Sequence, residues 1–140
     1  MQSTDILLPV AAMVFLVFLV FFATIISRVT QMNRDRIHPQ QVNTRAEMAA
    51  RVKDSRASDH LANLFEAPVL FYLACIVIVL LDTIDTAYLW LAWLFVAFRY
   101  LQALVHLTFN NVRTRAAVFG LGVATGIVIW ARLVLDLWSL

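Results

Sequence analysis

The feature that most constrains this chain is a stretch from Ile6 to Ile26 that carries no charged residue. About 20 consecutive apolar residues in a helix span a hydrocarbon core of about 30 Å, whereas the helices of a soluble domain are apolar along one stripe only. Three further stretches repeat the pattern, from Leu61 to Leu81, Thr86 to Thr108 and Ala116 to Leu135. The second holds one acid, Glu66, and the third one base, Arg99. Composition leaves few alternatives, because 62% of residues are hydrophobic and 14% charged, against about 25% charged in ordinary soluble domains. A chain of 140 residues has no second protein layer in which to bury four such rods. The sequence therefore predicts an all-α integral membrane four-helix bundle, a single domain over 1–140. Its spans fall at about 6–27, 61–81, 86–108 and 116–136, with a loop at about 28–59. A cleaved signal peptide fits the first stretch poorly, since its leader has Asp5, no Lys or Arg, and no small-residue cleavage site before Arg28.

Charge placement orients the bundle. Seven of the 11 basic residues lie between Arg28 and Arg56, and Arg113 and Arg115 fall in the turn before the fourth span. The turn with Asp82 and Asp85 carries no base. The positive-inside rule puts the basic loop in the cytoplasm and both termini outside, and Trp90 and Trp138 fit an aromatic belt at the outer interface. The basic loop lacks an aromatic platform or recognition helix, so nucleic acid is not expected as a partner. No Cys/His cluster has metal-site spacing, and no metal is expected. Within the loop, Thr44 and Glu47 have capping-box spacing, and a helical extension from Asn43 to Arg56 leading into the second span is expected.

Two polar stripes interrupt the apolar rods. Arg99, Gln102, His106 and Asn110 recur at helical spacing, as do His60, Asn63 and Glu66. A charge at that depth is costly, so each stripe should face protein, with Glu66 the expected carboxylate for Arg99. Glu66, Arg99 and Asn63 then read either as interhelical glue or as a functional site, and His106 and Asn110 either as satisfied core residues or as the lining of a wet cavity. Pro68 deprives the second span of a backbone donor and predicts a local bend. Gly122 and Gly126 predict close helix approach, Arg132 and Asp136 a local ion pair or a snorkelling pair, and Cys75 an inert filler.

The run His60-Leu-Ala-Asn63-Leu-Phe-Glu66-Ala-Pro68 resembles the second-helix signature of the MAPEG proteins, the membrane-associated proteins of eicosanoid and glutathione metabolism. The run Arg99-Tyr-Leu-Gln102-Ala-Leu-Val-His106-Leu-Thr-Phe-Asn110, followed by Arg113 and Arg115, is similar to the family's second block. The resemblance implies a homotrimer, bacterial in type and placed in the inner membrane, with sites between subunits. It implies glutathione or a similar thiol as cosubstrate and a lipophilic small molecule, met in the lipid bilayer, as the other reactant. Cosubstrate binding would fall to Asn63, Glu66, Arg99, His106 and Asn110, and the base that stabilises the thiolate would be Arg113 or Arg115. Where the family often has tyrosine the chain has His106, and Gln102 replaces a common His or Tyr. The activity implied is glutathione transferase or peroxidase. A non-catalytic lipid-binding or partner-binding protein of the same fold is the alternative, and a small proton-coupled carrier using Glu66 and His106 is a third reading that four spans without an inverted repeat support least.

Overall fold

The computed structural model describes residues 2–138; residues 1, 139 and 140 of the expected domain lie outside the described residues. After a 3-10 turn at Ser3–Ile6 come α1 (Leu7–Arg34), a 3-10 turn at Pro39–Val42, α2 (Arg45–Arg51), α3 (Arg56–Leu64), α4 (Ala67–Leu80), α5 (Thr86–Leu107) and α6 (Val112–Trp138). Four helical stretches are long and apolar enough to cross a membrane: Thr4–Arg34, Arg56–Leu80, Thr86–Leu107 and Val112–Trp138. The four expected spans are all present. At about 1.5 Å per residue even α5, the shortest continuous one, extends about 33 Å.

Helix α5 is the hub. It packs along α6, touches α1 and α3, and stacks Phe95 on Phe71 of α4 with ring centroids 4.5 Å apart and planes 8° from parallel. The buried residues of α1 (Pro9, Met13, Leu16, Val20, Thr24, Gln31) recur every three, four or seven positions and form one inward stripe. Its other faces expose Phe15, Phe18, Phe22 and Ile26, as a helix against acyl chains should. Trp90 and Trp138 are exposed, while the indole of Trp130 donates to the Leu70 carbonyl at 3.1 Å. Cys75 is fully buried among apolar neighbours.

Helix ends depart from the expected boundaries where polar contacts extend the helices. The first helix runs on to Arg34 because Gln31 docks on the backbone of Asp54, donating to its carbonyl at 3.0 Å and accepting from its amide at 2.9 Å. The loop narrows to 35–55. Its capping box forms as expected, with Thr44 Oγ1 accepting from Glu47 N at 3.2 Å and Glu47 Oε2 from Thr44 N at 3.0 Å. The helix it starts stops at Arg51, however, and does not lead into the second span. Val52 is extended and buried, and 52–55 form the clasp on Gln31 instead. Three spanning helices end in a left-handed residue, Arg36 (φ 53°), Asp82 (φ 51°) and Asn110 (φ 44°), each followed or closed by a backbone bond to a carbonyl five residues back.

Candidate functional site

The second span is broken, and the break decides which polar residues meet. Pro68 has no N–H, the α3 pattern stops at Leu64, and Glu66 takes φ −99° and ψ −95° before α4 begins at Ala67. Glu66 therefore does not continue the helical face that buries His60, whereas Asn63 still lies within α3. His60 is fully buried, Asn63 half-buried and Glu66 exposed. The expected Glu66–Arg99 ion pair is overturned: among the described residues the pairs are Arg34–Asp35, Arg56–Asp54 and Arg132–Asp85. The proline withholds the donor that the preceding turn needs, so the helix is interrupted upstream of it at Phe65 and Glu66, and constant helical spacing fails before Pro68 is reached.

Arg99 is buried to 1% exposure without a carboxylate. Its Nη1 donates to Oε1 of Gln102, one turn on, at 2.8 Å. The guanidinium lies over the rings of Phe95 and Phe119, 4.9 and 5.1 Å from their centroids, which supplies cation–π attraction from each. Its Nε and Nη2 have no hydrogen-bond partner among the described residues. A Cβ at Gly122 would stand 3.5 Å from both nitrogens, and one at Gly126 would stand 3.5 Å from the Phe95 ring. The two glycines thus bring α6 against α5 as expected.

A second cluster sits at the basic end. His106, at 1% exposure, has both ring nitrogens engaged: Nδ1 lies 3.3 Å from Nδ1 of His60, and Nε2 lies 3.0 Å from Nη1 of Arg115. The same Nη1 donates to Oδ1 of Asn110 at 2.9 Å. Arg115 is half-buried at the start of α6, with no acceptor for its Nε or Nη2 among the described residues. Arg113 is exposed and makes no side-chain hydrogen bond among them. Sequence spacing brought Arg99, Gln102 and His106 onto one buried face, and chain reversal at Asn110 adds Arg115 to it. The His60–His106 contact was not anticipated, although both residues lie near the basic ends of neighbouring spans.

Arg56 ties this end together, bonding Asp54 through Nε and Nη2 at 2.9 and 2.7 Å and donating from Nη1 to the Thr108 carbonyl at 2.8 Å. The guanidinium holds the Asp54 carboxyl below its usual range against a smaller upward push from burial. At the opposite end Arg132 pairs with Asp85 across helices, and Asp136 accepts from Tyr88 Oη at 2.6 Å. These residues latch the start of α5 to the end of α6, where a local pair within α6 had been expected.

Two cavities flank the clusters. One of about 670 Å³ lies between α1, α2 and α3, with Arg28, Arg45 and Ser58 among its walls. The other, about 590 Å³, is an apolar groove between α4 and α6 floored by Phe71 and Phe95 and flanked by Gly126 and Trp130.

A four-span helical bundle with a buried arginine, Arg99, and a half-buried one, Arg115, at its basic end defines an integral, multi-pass membrane protein. Comparison with models of protein families matches residues 6–135 to the MAPEG family. The chain belongs to that family, whose members include glutathione-dependent transferases and peroxidases. No curated protein and no solved structure matches it.

Proposed function

We propose that this protein is a glutathione-dependent transferase or peroxidase acting on lipophilic electrophiles or hydroperoxides that reach it through the bilayer. It works as a homotrimer in a bacterial inner membrane, with the 35–55 loop cytoplasmic and both termini outside. The observation that carries the reading is Arg115, a half-buried cation at the basic end whose Nη1 is held by two acceptors while Nε and Nη2 have none among the described residues. Arg115 rather than Arg113 is the cation for a thiolate, because no side-chain hydrogen bond among the described residues fixes Arg113. A free thiol titrates near about 8.5, and an adjacent permanent cation lowers that value, so more of the sulfur is nucleophilic at neutral pH. Asn63, Glu66 and Arg99 bind the peptide part of the cosubstrate, as the family resemblance implies, and Asn110 and His106 shape the same end. In conjugation the thiolate sulfur bonds to a ring carbon and halide leaves. The reading does not draw on a Glu66–Arg99 pair.

The test is conjugation of a chlorinated nitroaromatic, and reduction of a lipid hydroperoxide, by the purified protein with glutathione. Turnover that is lost in Arg115→Ala with intact oligomers supports it. No turnover together with no thermal stabilisation by glutathione overturns it.

The groove between α4 and α6 favours a second reading, a non-catalytic lipid-binding protein, since its walls are apolar and it lies within the spans. That reading predicts a co-purifying lipid whose retention is indifferent to Arg115→Ala.

A further inference from the structure

We infer that His60, His106 and Arg115 form a hydrogen-bonded chain of fixed polarity, in which the two buried imidazoles position the Arg115 guanidinium. The inference rests on the proposed role of Arg115 for its functional meaning, while its structural content stands apart from any activity.

The polarity follows by elimination. Arginine has five N–H donors and no acceptor. Its Nη1 lies 3.0 Å from His106 Nε2, so that nitrogen accepts and carries no proton. The neutral ring then holds its proton on Nδ1, the tautomer opposite to the one a free imidazole favours. That Nδ1–H points at Nδ1 of His60, 3.3 Å away, which accepts in turn and leaves the His60 proton on Nε2. A doubly protonated ring at either position would set donor against donor. The His60 Nε2–H that ends the chain is buried and has no acceptor among the described residues, so the ring's polar contact there is the one its other nitrogen makes.

The consequence is orientation. A guanidinium is planar and rigid, and Nη1 is gripped by Asn110 Oδ1 at 2.9 Å and His106 Nε2 at 3.0 Å. Asn110 is placed by its left-handed turn, and His106 by burial and by the edge-on His60 ring, with centroids 5.2 Å apart and planes at 76°. Two fixed acceptors on one nitrogen define the plane of the fork and leave Nε and Nη2 without an acceptor among the described residues. His106 and His60 are thus positioning residues that act on an anion through Arg115.

The experiment uses the full chain in lipid micelles with 15N-labelled histidine and arginine. Long-range proton–nitrogen correlation should show His106 protonated at Nδ1 and His60 at Nε2, with exposed His38 as the internal reference. Arg115→Met should move the His106 proton to Nε2. Arg115 should give resolved Nη signals that merge in His106→Leu and separate again in His106→Gln, whose amide accepts from Arg115 and donates to His60. His106 protonated at Nε2 in the native chain, or Arg115 signals indifferent to His106→Leu, overturns the inference. In the conjugation assay kcat should fall about tenfold or more in His106→Leu, with a smaller change in the KM for glutathione, and recover in His106→Gln, as expected for a lost bond to a charged group. Equal losses in both variants overturn the positioning role. An inactive native chain with the stated tautomers removes the proposed activity and leaves the relay standing.

Discussion

Arg99 and Gln102 share one hydrogen bond across a single turn of α5, with Nη1 donating to Oε1 at 2.8 Å, and no carboxylate among the described residues reaches that guanidinium. A buried cation held by one neutral acceptor and two aromatic faces is a costly element for a fold to keep. The relationship predicts an asymmetry between the two side chains. Gln102→Leu strands Nη1 and should destabilise the protein by about 1–3 kcal/mol. Arg99→Met removes the charge and fills a similar volume, and should be neutral or stabilising, since apolar replacement of buried ions gains about 1–4 kcal/mol in known cases. Adding Arg99→Met to Gln102→Leu should cancel most of the loss. Denaturation in mixed micelles measures all three, and a loss of about 3–5 kcal/mol in Arg99→Met alone would show that a second subunit supplies a partner.

Pro68 predicts a change of helix phase. In Pro68→Ala the missing N–H returns, and α3 and α4 should join through Phe65 and Glu66. Amide exchange at those two residues should slow by about tenfold or more, equivalent to about 1.4 kcal/mol of added local stability. Joining the helices also rotates Asn63 and Glu66 relative to α5, so glutathione affinity should weaken if those residues bind it. Unchanged exchange at Phe65 and Glu66 would place the cause of the break elsewhere, in the packing of Leu64 and Phe71.

What the sequence made legible follows from which physical signals act locally. The four spans could be read because freedom from charge over about 20 residues depends on no neighbour, and the Thr44–Glu47 capping box because both partners lie within one turn. Glu66 was misplaced because helical spacing was carried past Leu64 into the break that Pro68 imposes upstream of itself. The His60–His106 contact and the Asp85–Arg132 latch join residues 46 and 47 positions apart, so no periodicity encodes them. Arg115 separated from Arg113 only once the left-handed turn at Asn110 brought its side chain back onto His106.

Gly122 tests how closely α6 approaches α5. A Cβ there would meet Arg99 and Phe98 at 3.5 Å, ordinary van der Waals contact, so Gly122→Ala should be tolerated and gain up to about 1 kcal/mol from helix propensity. Gly122→Leu has no space for its further carbons and should cost about 1–3 kcal/mol or more, as overpacked cores do. Thermal midpoints of the two variants in the same detergent decide the point, and a destabilised Gly122→Ala would mean that the helices lie closer than stated.

Asp85 predicts the acid response of the opposite end. Burial pushes its carboxyl up, but the Tyr88 amide, at 2.9 Å, and the Arg132 guanidinium together outweigh that and set it below the ordinary 3.8. A carboxyl depressed in the folded state contributes stability that is present above its unfolded value and is lost as pH falls through the folded one. The latch between α5 and α6 should therefore be intact at pH 5 and above and weaken progressively below about 4. Its contribution should be about 1 kcal/mol or less, since Asp85 and Arg132 are 45% and 33% exposed and solvent screens them. Asp85→Asn retains a side-chain oxygen to cap Tyr88 but has no charge to titrate. Its unfolding curves should lose part of the dependence on pH between 5 and 3 that the native chain shows, and identical pH profiles for the two would remove Asp85 from the acid response.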